Sequence, residues 1–240
     1  MNRHSDTMDQ LSQYYSAIYR KYDLVNRIFT LGNDERWRKY TAEQCLKHQP
    51  RNIIDLCCGT GDMAINIRKK AANEVKITGF DFNRKMLEIA KRKTEEQQLD
   101  NLIYVEGDVA EMPFADGSFD AMTIGFGFRN LTFENEKSVR HLMEMNRIIR
   151  KGGRLYILES SVPSCNLIRM LYKLYLRLIL IPLGAWITGN REAYAYLARS
   201  SANFFNTDEV ADMLINSGFI MEQKKVFFLG ASNLIIAMKT

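Results

Sequence analysis

The strongest constraint on this chain is an alternation that begins near Asn52, where short β-branched runs are separated by longer charged segments carrying apolar residues at three- and four-residue spacing. A strand covered on both faces reads as a short apolar run, and a helix laid against it shows the 3.6-residue period. The pattern therefore predicts repeated βα units around a parallel sheet. Strands are expected over Asn52–Leu56, Lys76–Asp81, Leu102–Glu106, Phe119–Gly125 and Arg154–Glu159, with helices over Asp62–Ala72, Arg84–Gln98 and Glu134–Arg150. With 240 residues, 46% of them hydrophobic, the chain is long enough to bury both faces of such a sheet in one domain.

After the fifth strand the alternation stops. A mostly helical insertion is expected over about 165–205, then a helix near Thr207–Ser217, then two β-rich runs, Phe219–Leu229 and Asn233–Met238, joined by Gly230-Ala231-Ser232. The last feature is a hairpin signal. A doubly wound α/β sheet finished by a hairpin resembles the class I methyltransferase fold, Rossmann-like but with an antiparallel last strand. Residues 1–51 are expected as a helical segment packed on the core, and 52–240 as the main domain.

A net charge of +5 without any block of like charges gives no footprint for nucleic-acid binding. The four cysteines, Cys45, Cys57, Cys58 and Cys165, form no CxxC pair, and Asp6 and Asp9 stand where a signal peptide would be apolar. Both features suggest reduced thiols in a cytoplasmic protein, and no metal site is expected. The apolar stretch Leu167–Thr188 contains Arg169, Lys173 and Arg177, which argues against a spanning helix. Because these cations recur every fourth residue, the segment is expected to be amphipathic, its apolar remainder buried against the sheet, a partner chain in a homodimer, or the surface of a membrane.

The first strand runs into DLCCGTGD, which sets Asp55, Gly59, Thr60 and Gly61 at a sharp strand-to-helix turn. Glycine permits that turn and close approach of a ligand, but the spacing also satisfies a dinucleotide fingerprint. A second carboxylate, Asp81, ends the next strand about 20 residues past the first loop glycine, where an acid can accept from ribose hydroxyls. A third, Asp108, follows in GDV and can meet an adenine amino group beside the Val109 amide. Three acids at successive strand ends mark the ligand crevice of an open sheet. Asp55 and Asp62 in the loop would repel a pyrophosphate, yet suit the cationic sulfonium and amino-acid head of S-adenosylmethionine.

Four segments then resemble the ubiquinone and menaquinone biosynthesis C-methyltransferases: YDLVNRIFTLGNDERWRK from Tyr22, the DLCCGTGD loop, GDVAEMPFADGSFDAMTIGFGFRN from Gly107, and RIIRKGGRLYILESS from Arg147. The likeness runs from about Tyr14 to the C-terminus. It implies an S-adenosylmethionine-dependent enzyme whose cofactor contacts include Thr60, Asp81, Asp108, Val109 and Gly125. It also implies transfer of a methyl group to a ring carbon of a prenylated quinol, demethylmenaquinol on family precedent, by an enzyme working beside the inner face of the membrane. Departures from the family pattern include Asp34 in place of histidine, Lys151 in place of proline, Gly125 where serine is common, and the Cys57-Cys58 pair in place of smaller residues. Arg129 and Asn130, just past the fourth strand, are candidates for stabilising a phenolate or orienting a water, and Arg129 could equally pair with a loop carboxylate. Tyr22, Tyr194 and Tyr196 are candidates for lining the pocket and relaying a proton, Tyr22 and Tyr194 as catalytic residues, although tyrosines often serve as packing residues. His141, on a charged helix, is expected at the surface with no role. Methylation of a phenol oxygen, a sterol or an amine, and non-catalytic nucleotide binding, remain open on residues alone.

Overall fold

The computed structural model describes residues 21–30 and 32–240, with the side chains at 22, 25, 28 and 29 excepted. The beginning of the expected N-terminal helical segment lies outside the described residues. The described residues start with helices α1 (Tyr22–Phe29) and α2 (Asn33–Leu46), followed by β1 (Asn52–Leu56), α3 (Asp62–Arg68), β2 (Lys76–Asp81), α4 (Arg84–Glu96), β3 (Leu102–Glu106) and β4 (Phe119–Gly125). The first four strands have the expected bounds. Helix α3 stops four residues early because the Arg68 guanidinium donates to the carbonyls of Ala71, Ala72 and Val75, tying the chain into a turn.

A short helix that was not expected, α5 (Phe128–Thr132), precedes α6 (Ser138–Ile148), which lies within the helix expected over Glu134–Arg150, and β5 (Ile149–Ser160) starts earlier than expected. The chain then forms α7 (Asn166–Tyr175), a π-helical turn (Leu176–Leu180), α8 (Ile181–Thr188), α9 (Arg191–Asn203), α10 (Thr207–Asn216), β6 (Phe219–Phe227) and β7 (Ser232–Lys239). Asn206 and Glu209 cap α10 reciprocally, the arrangement that satisfies two otherwise orphaned amides at a helix start.

The seven strands form one sheet in the order β3-β2-β1-β4-β5-β7-β6, with β7 antiparallel to both neighbours and the pairs among β1 to β5 parallel. This is the class I S-adenosylmethionine-dependent methyltransferase architecture. Side chains of β5 alternate between two cores: Leu155 and Ile157 join Met145, Ile148 and Leu214 on one face, while Tyr156 and Leu158 join Cys45, Met63 and Ile67 on the other. A third apolar cluster, Leu176, Leu180, Ala193, Tyr194 and Ala198, lies within the helical insertion. The chain reverses its progress across the sheet between β1 and β4, and a ligand crevice is expected outside the carboxyl ends of the strands at that switch point.

Candidate active site

Two cavities share a wall at the carboxyl end of the sheet. The first, with about 890 Å³ of space open to solvent, is lined by Asp55, Gly59, Thr60, Asp81, Asp108, Val109, Gly125 and Asn130, together with Arg38, Asn83 and Phe126. The second, about 810 Å³, is lined by Asp34, Trp37, Arg129, Tyr172, Tyr175, Leu176 and Leu180 among others, and again by Phe126.

The first cavity is built by strand ends. Both oxygens of Asp81 are oriented by backbone amides, Oδ2 accepting from Gly59 and Oδ1 from Asn83, each at 2.9 Å. Burial still outweighs those bonds and raises its pKa to about 6. Asp55 is fully buried; its Oδ1 accepts from Thr123 Oγ1 at 2.7 Å, while its Oδ2 has no hydrogen-bond partner. Burial raises the pKa of this carboxyl to about 7, against the Thr123 bond and the nearby charge of Arg38. Arg38 Nη1 is also buried without a hydrogen bond. One buried acid and one buried guanidinium, each with a polar atom left over on the same wall, fit the ammonium and carboxylate of an amino-acid head.

Asp108 is half-buried: Oδ1 accepts from the Ala110 amide at 2.9 Å and Oδ2 from Lys137 Nζ at 2.7 Å. Burial opposes ionisation, but Lys137 and the amide prevail and hold its pKa below the usual value. Thr60 Oγ1 donates to Asp23 Oδ1 at 2.7 Å, and Lys93 Nζ bridges Asp23 Oδ2 and Asp62 Oδ1 at 2.5 and 2.8 Å, so α1 is fastened beside the cofactor loop.

Gly61 is the expected cofactor residue that does not line the cavity. Its φ is +83°, and a Cβ there would stand 2.5 Å from Tyr104 Oη and 2.9 Å from Ala90 Cβ. Its role is to let α3 begin in a left-handed turn against β3 and α4. Two non-glycine residues on the wall also hold positive φ, Cys57 at 52° and Phe126 at 62°. Such strain costs about 1–3 kcal/mol per residue and gathers at ligand sites. Gly127 has the complementary requirement, since any Cβ there would collide with Cys57.

The catalytic candidates divide between the cavities. Asn130 lines the first, while Arg129 reaches the second with its guanidinium 3% exposed. Arg129 Nη1 donates to Glu159 Oε1 at 3.1 Å and to Ser160 Oγ at 2.6 Å, and its backbone amide donates to Glu159 Oε2 at 3.0 Å. The carboxylate comes from the end of β5, a long-range partner that local sequence does not announce.

Tyr194 is corrected by the structure. Its ring is 1% exposed, packed onto Gly184 of α8 in the insertion's own core, and outside both cavities. Tyr196 also lies outside them, with the Arg199 guanidinium 5.9 Å from its ring centroid. Tyr172 and Tyr175 line the second cavity instead; the only prior sign of them was their place on a helix beside a stripe of cations. The Tyr22 side chain lies outside the described residues. His141 is not at the surface: it is fully buried, with Nδ1 2.8 Å from the Leu131 carbonyl and Nε2 3.7 Å from Asp108. Burial lowers its pKa.

Comparison with known proteins agrees with the geometry. A model of the ubiE/COQ5 methyltransferase family matches residues 3–239. The demethylmenaquinone methyltransferase of Deinococcus radiodurans is 36% identical over 223 residues, covering 93% of this chain and 90% of the relative. The enzyme of that name from Oceanobacillus iheyensis is 32% identical over 239 residues, covering 100% of this chain and 99% of the relative. Among solved structures, a putative methyltransferase from Bacillus halodurans superposes with TM-score 0.62 at 17% identity over 84% of this chain and 98% of its own. A SAM-dependent methyltransferase from Aquifex aeolicus gives 0.60 at 17% identity, over 90% and 98%. These two share the fold. The chain belongs to the ubiE/COQ5 methyltransferase family and is an S-adenosylmethionine-dependent methyltransferase.

Proposed function

We propose that this enzyme methylates a ring carbon of a prenylated quinol, with demethylmenaquinol as the substrate. The observation that carries the reading is the pair of cavities meeting at Phe126, one walled by polar strand ends and the other by aromatic and aliphatic side chains of the helical insertion. The names of the two relatives point to the same substrate.

S-adenosylmethionine supplies an electrophilic methyl group when bound. In this reading Asp55 and Arg38 hold the ammonium and carboxylate of its amino-acid head, Asp81 accepts from the ribose hydroxyls, and Asp108 and the Val109 amide meet the adenine. Gly59, Thr60, Gly125 and Asn130 complete the walls. The quinol ring stands in the second cavity, where Trp37, Tyr172 and Leu176 supply apolar wall for the ring and Arg129 faces the ring oxygen that becomes negative. Holding two reactants about 3–3.5 Å apart contributes roughly 7–11 kcal/mol in favourable systems, so positioning supplies much of the acceleration.

The outer side of the insertion supports contact with a membrane surface, where a prenylated substrate resides. Helix from Asn166 to Thr188 is continuous, 23 residues long and apolar enough by length and composition to cross a bilayer. Its inner side, however, forms the cavity wall through Tyr172, Leu176 and Leu180. Leu167, Met170, Leu171, Leu174, Leu178 and Trp186 are exposed on the outside, Trp186 by 82%. Lys173 and Arg177 are exposed among them, an arrangement that suits a helix lying flat on anionic headgroups.

The deciding experiment incubates the protein with methyl-labelled S-adenosylmethionine and a short-chain demethylmenaquinol. Label recovered on the ring carbon supports the proposal; label on oxygen, or cofactor binding without turnover, overturns it.

A further inference from the structure

The second cavity has an acid on its wall that the reading above leaves without a task. Asp34, in the first turn of α2, is 3% exposed and, among the described residues, is the only carboxylate lining that cavity. No histidine among the described residues lines it. Thr30 Oγ1 donates to Asp34 Oδ1 at 2.8 Å, and the Asp34 amide donates back to that hydroxyl at 3.2 Å, which fixes the carboxylate's orientation. Oδ2 stands 3.6 Å from Arg38 Nη1, beyond hydrogen-bond reach.

Carbon methylation of a phenol needs a base, because the ring carbon becomes a competent nucleophile once the hydroxyl proton leaves. The other polar groups facing Asp34 across the cavity are poor candidates. Arg129 carries its proton permanently. Burial pushes the Tyr172 phenol up to about 12 and raises Tyr175 as well, so both keep their protons at neutral pH. Ser160 and Ser201 are hydroxyls without a basic lone pair of comparable strength. The remaining nearby carboxylate, Glu159, accepts from the Arg129 amide and guanidinium and from the Ser160 amide and hydroxyl, all within 3.1 Å, and does not line the cavity. Asp34 also stands at the boundary between the cavities: its ion-pair partner Arg38 lines the first, with a guanidinium 5.1 Å from the ring centroid of Phe126, the wall common to both.

We propose that Asp34 is the catalytic base that takes the hydroxyl proton from the quinol in the second cavity. The inference rests on the quinol reading above. The O–H bond breaks toward Asp34, and the oxygen's electron pair moves through the ring to the attacked carbon. That carbon bonds to the methyl group while the pair of the methyl–sulfur bond stays on sulfur. The carbon then gives up its hydrogen to water as a proton, restoring aromaticity, and Asp34 returns its own proton to the oxygen. One proton is released per turnover, and Asp34 ends as it began. Arg129 opposite would stabilise the transient phenolate.

The test compares D34N and D34H with the wild type at saturating S-adenosylmethionine, with calorimetric cofactor binding and thermal melting as parallel readouts. For D34N the expected result is a fall in kcat of about 100- to 10,000-fold, with cofactor affinity held within about threefold. If Asp34 only steadies Arg38, cofactor affinity falls and kcat stays within about threefold, which overturns the proposal. D34H keeps a base of different strength, so it should restore turnover and move the acid limb of the kcat profile toward the imidazole range near ~6.5. An acid limb identical to that of the wild type overturns the proposal even if D34N does not fold. Wild-type protein that methylates no phenolic ring carbon defeats the quinol reading and this inference together, whereas an active wild type with an active D34N defeats this inference alone.

Discussion

At the residue scale, the buried carboxylates of the first cavity couple stability to pH and, on the proposed reading, cofactor binding as well. Asp55 has a folded-state pKa of about 7, above the ~3.9 of an unfolded aspartate. Its contribution to stability is therefore complete only below about pH 4 and is lost progressively as pH rises from there through 7. In the cofactor-free protein D55N should melt higher than wild type at pH 8, with the difference shrinking toward pH 4. The same ionisation favours a bound ammonium, so wild-type affinity for S-adenosylmethionine should tighten between pH 6 and 8 while that of D55N stays low and flatter. Equal pH slopes in calorimetry would remove Asp55 from the site. Arg129 carries a different cost. Removing its guanidinium leaves the Glu159 charge, 2% exposed, without its counter-ion, and breaking a buried pair costs about 3–5 kcal/mol. R129A should therefore lose about 6 °C or more of melting temperature, at roughly 2–4 °C per kcal/mol for a domain of this size. A kinetic defect without a thermal one would show that the pair carries little of the fold.

At the scale of elements, the helical insertion forms its own packed unit. Helix α8 can approach α9 only because position 184 has no side chain: a Cβ there would collide with the ring of Tyr194. Overpacking a rigid contact of this kind typically costs about 1–3 kcal/mol. G184A should lower stability and raise KM for the quinol, because α8 continues directly from the π-helical turn that sets Leu176 and Leu180 on the cavity wall, while cofactor affinity stays at the wild-type value. Calorimetry and steady-state kinetics separate the two. Unchanged KM would mean that the insertion does not shape the substrate cavity. The same element shows what periodicity leaves undecided. Of the three surfaces expected to cover its apolar face, the sheet does not: Leu171, Leu174, Leu178 and Ile179 are exposed, and the inward side belongs to Tyr172, Leu176 and Leu180. Nor is Arg169 a free member of that stripe, since it donates to the carbonyls of Pro163 and Ser164.

At the scale of the whole molecule, the sheet sets the polar cavity at its carboxyl end, and the insertion sets an apolar surface over the second cavity. The membrane reading predicts that the protein cosediments with anionic liposomes at low salt, and that K173E/R177E abolishes this, each cation near the surface being worth about 1 kcal/mol. Binding that ignores both salt and the substitutions, or no binding at all, rejects it. A homodimer joined through the same face would instead appear as concentration-dependent size in the absence of lipid.

Fold and cofactor loop were legible in the chain because their determinants are local. Strand and helix periods lie within one segment, and glycines with acids recur at the strand ends where a parallel sheet opens its crevice. The first four strands accordingly have the expected bounds. Arg38, Asp34 and Phe126 sit inside segments that resemble the family, yet no local signal says that α2 brings an acid to one cavity and a guanidinium to the other. The partnership of Arg129 with Glu159, 30 residues apart, and the retreat of Tyr194 into a helix interface were decided by packing alone. His141 reads as a surface residue from its charged neighbours, and only the crossing of α6 under the Leu131 carbonyl buries it. Sequence by itself determined the parallel strands, the closing hairpin and the glycine-and-acid loop at the strand ends. The tertiary structure decided which side chains face one another across the cavities, because contacts between segments distant along the chain depend on how whole elements pack.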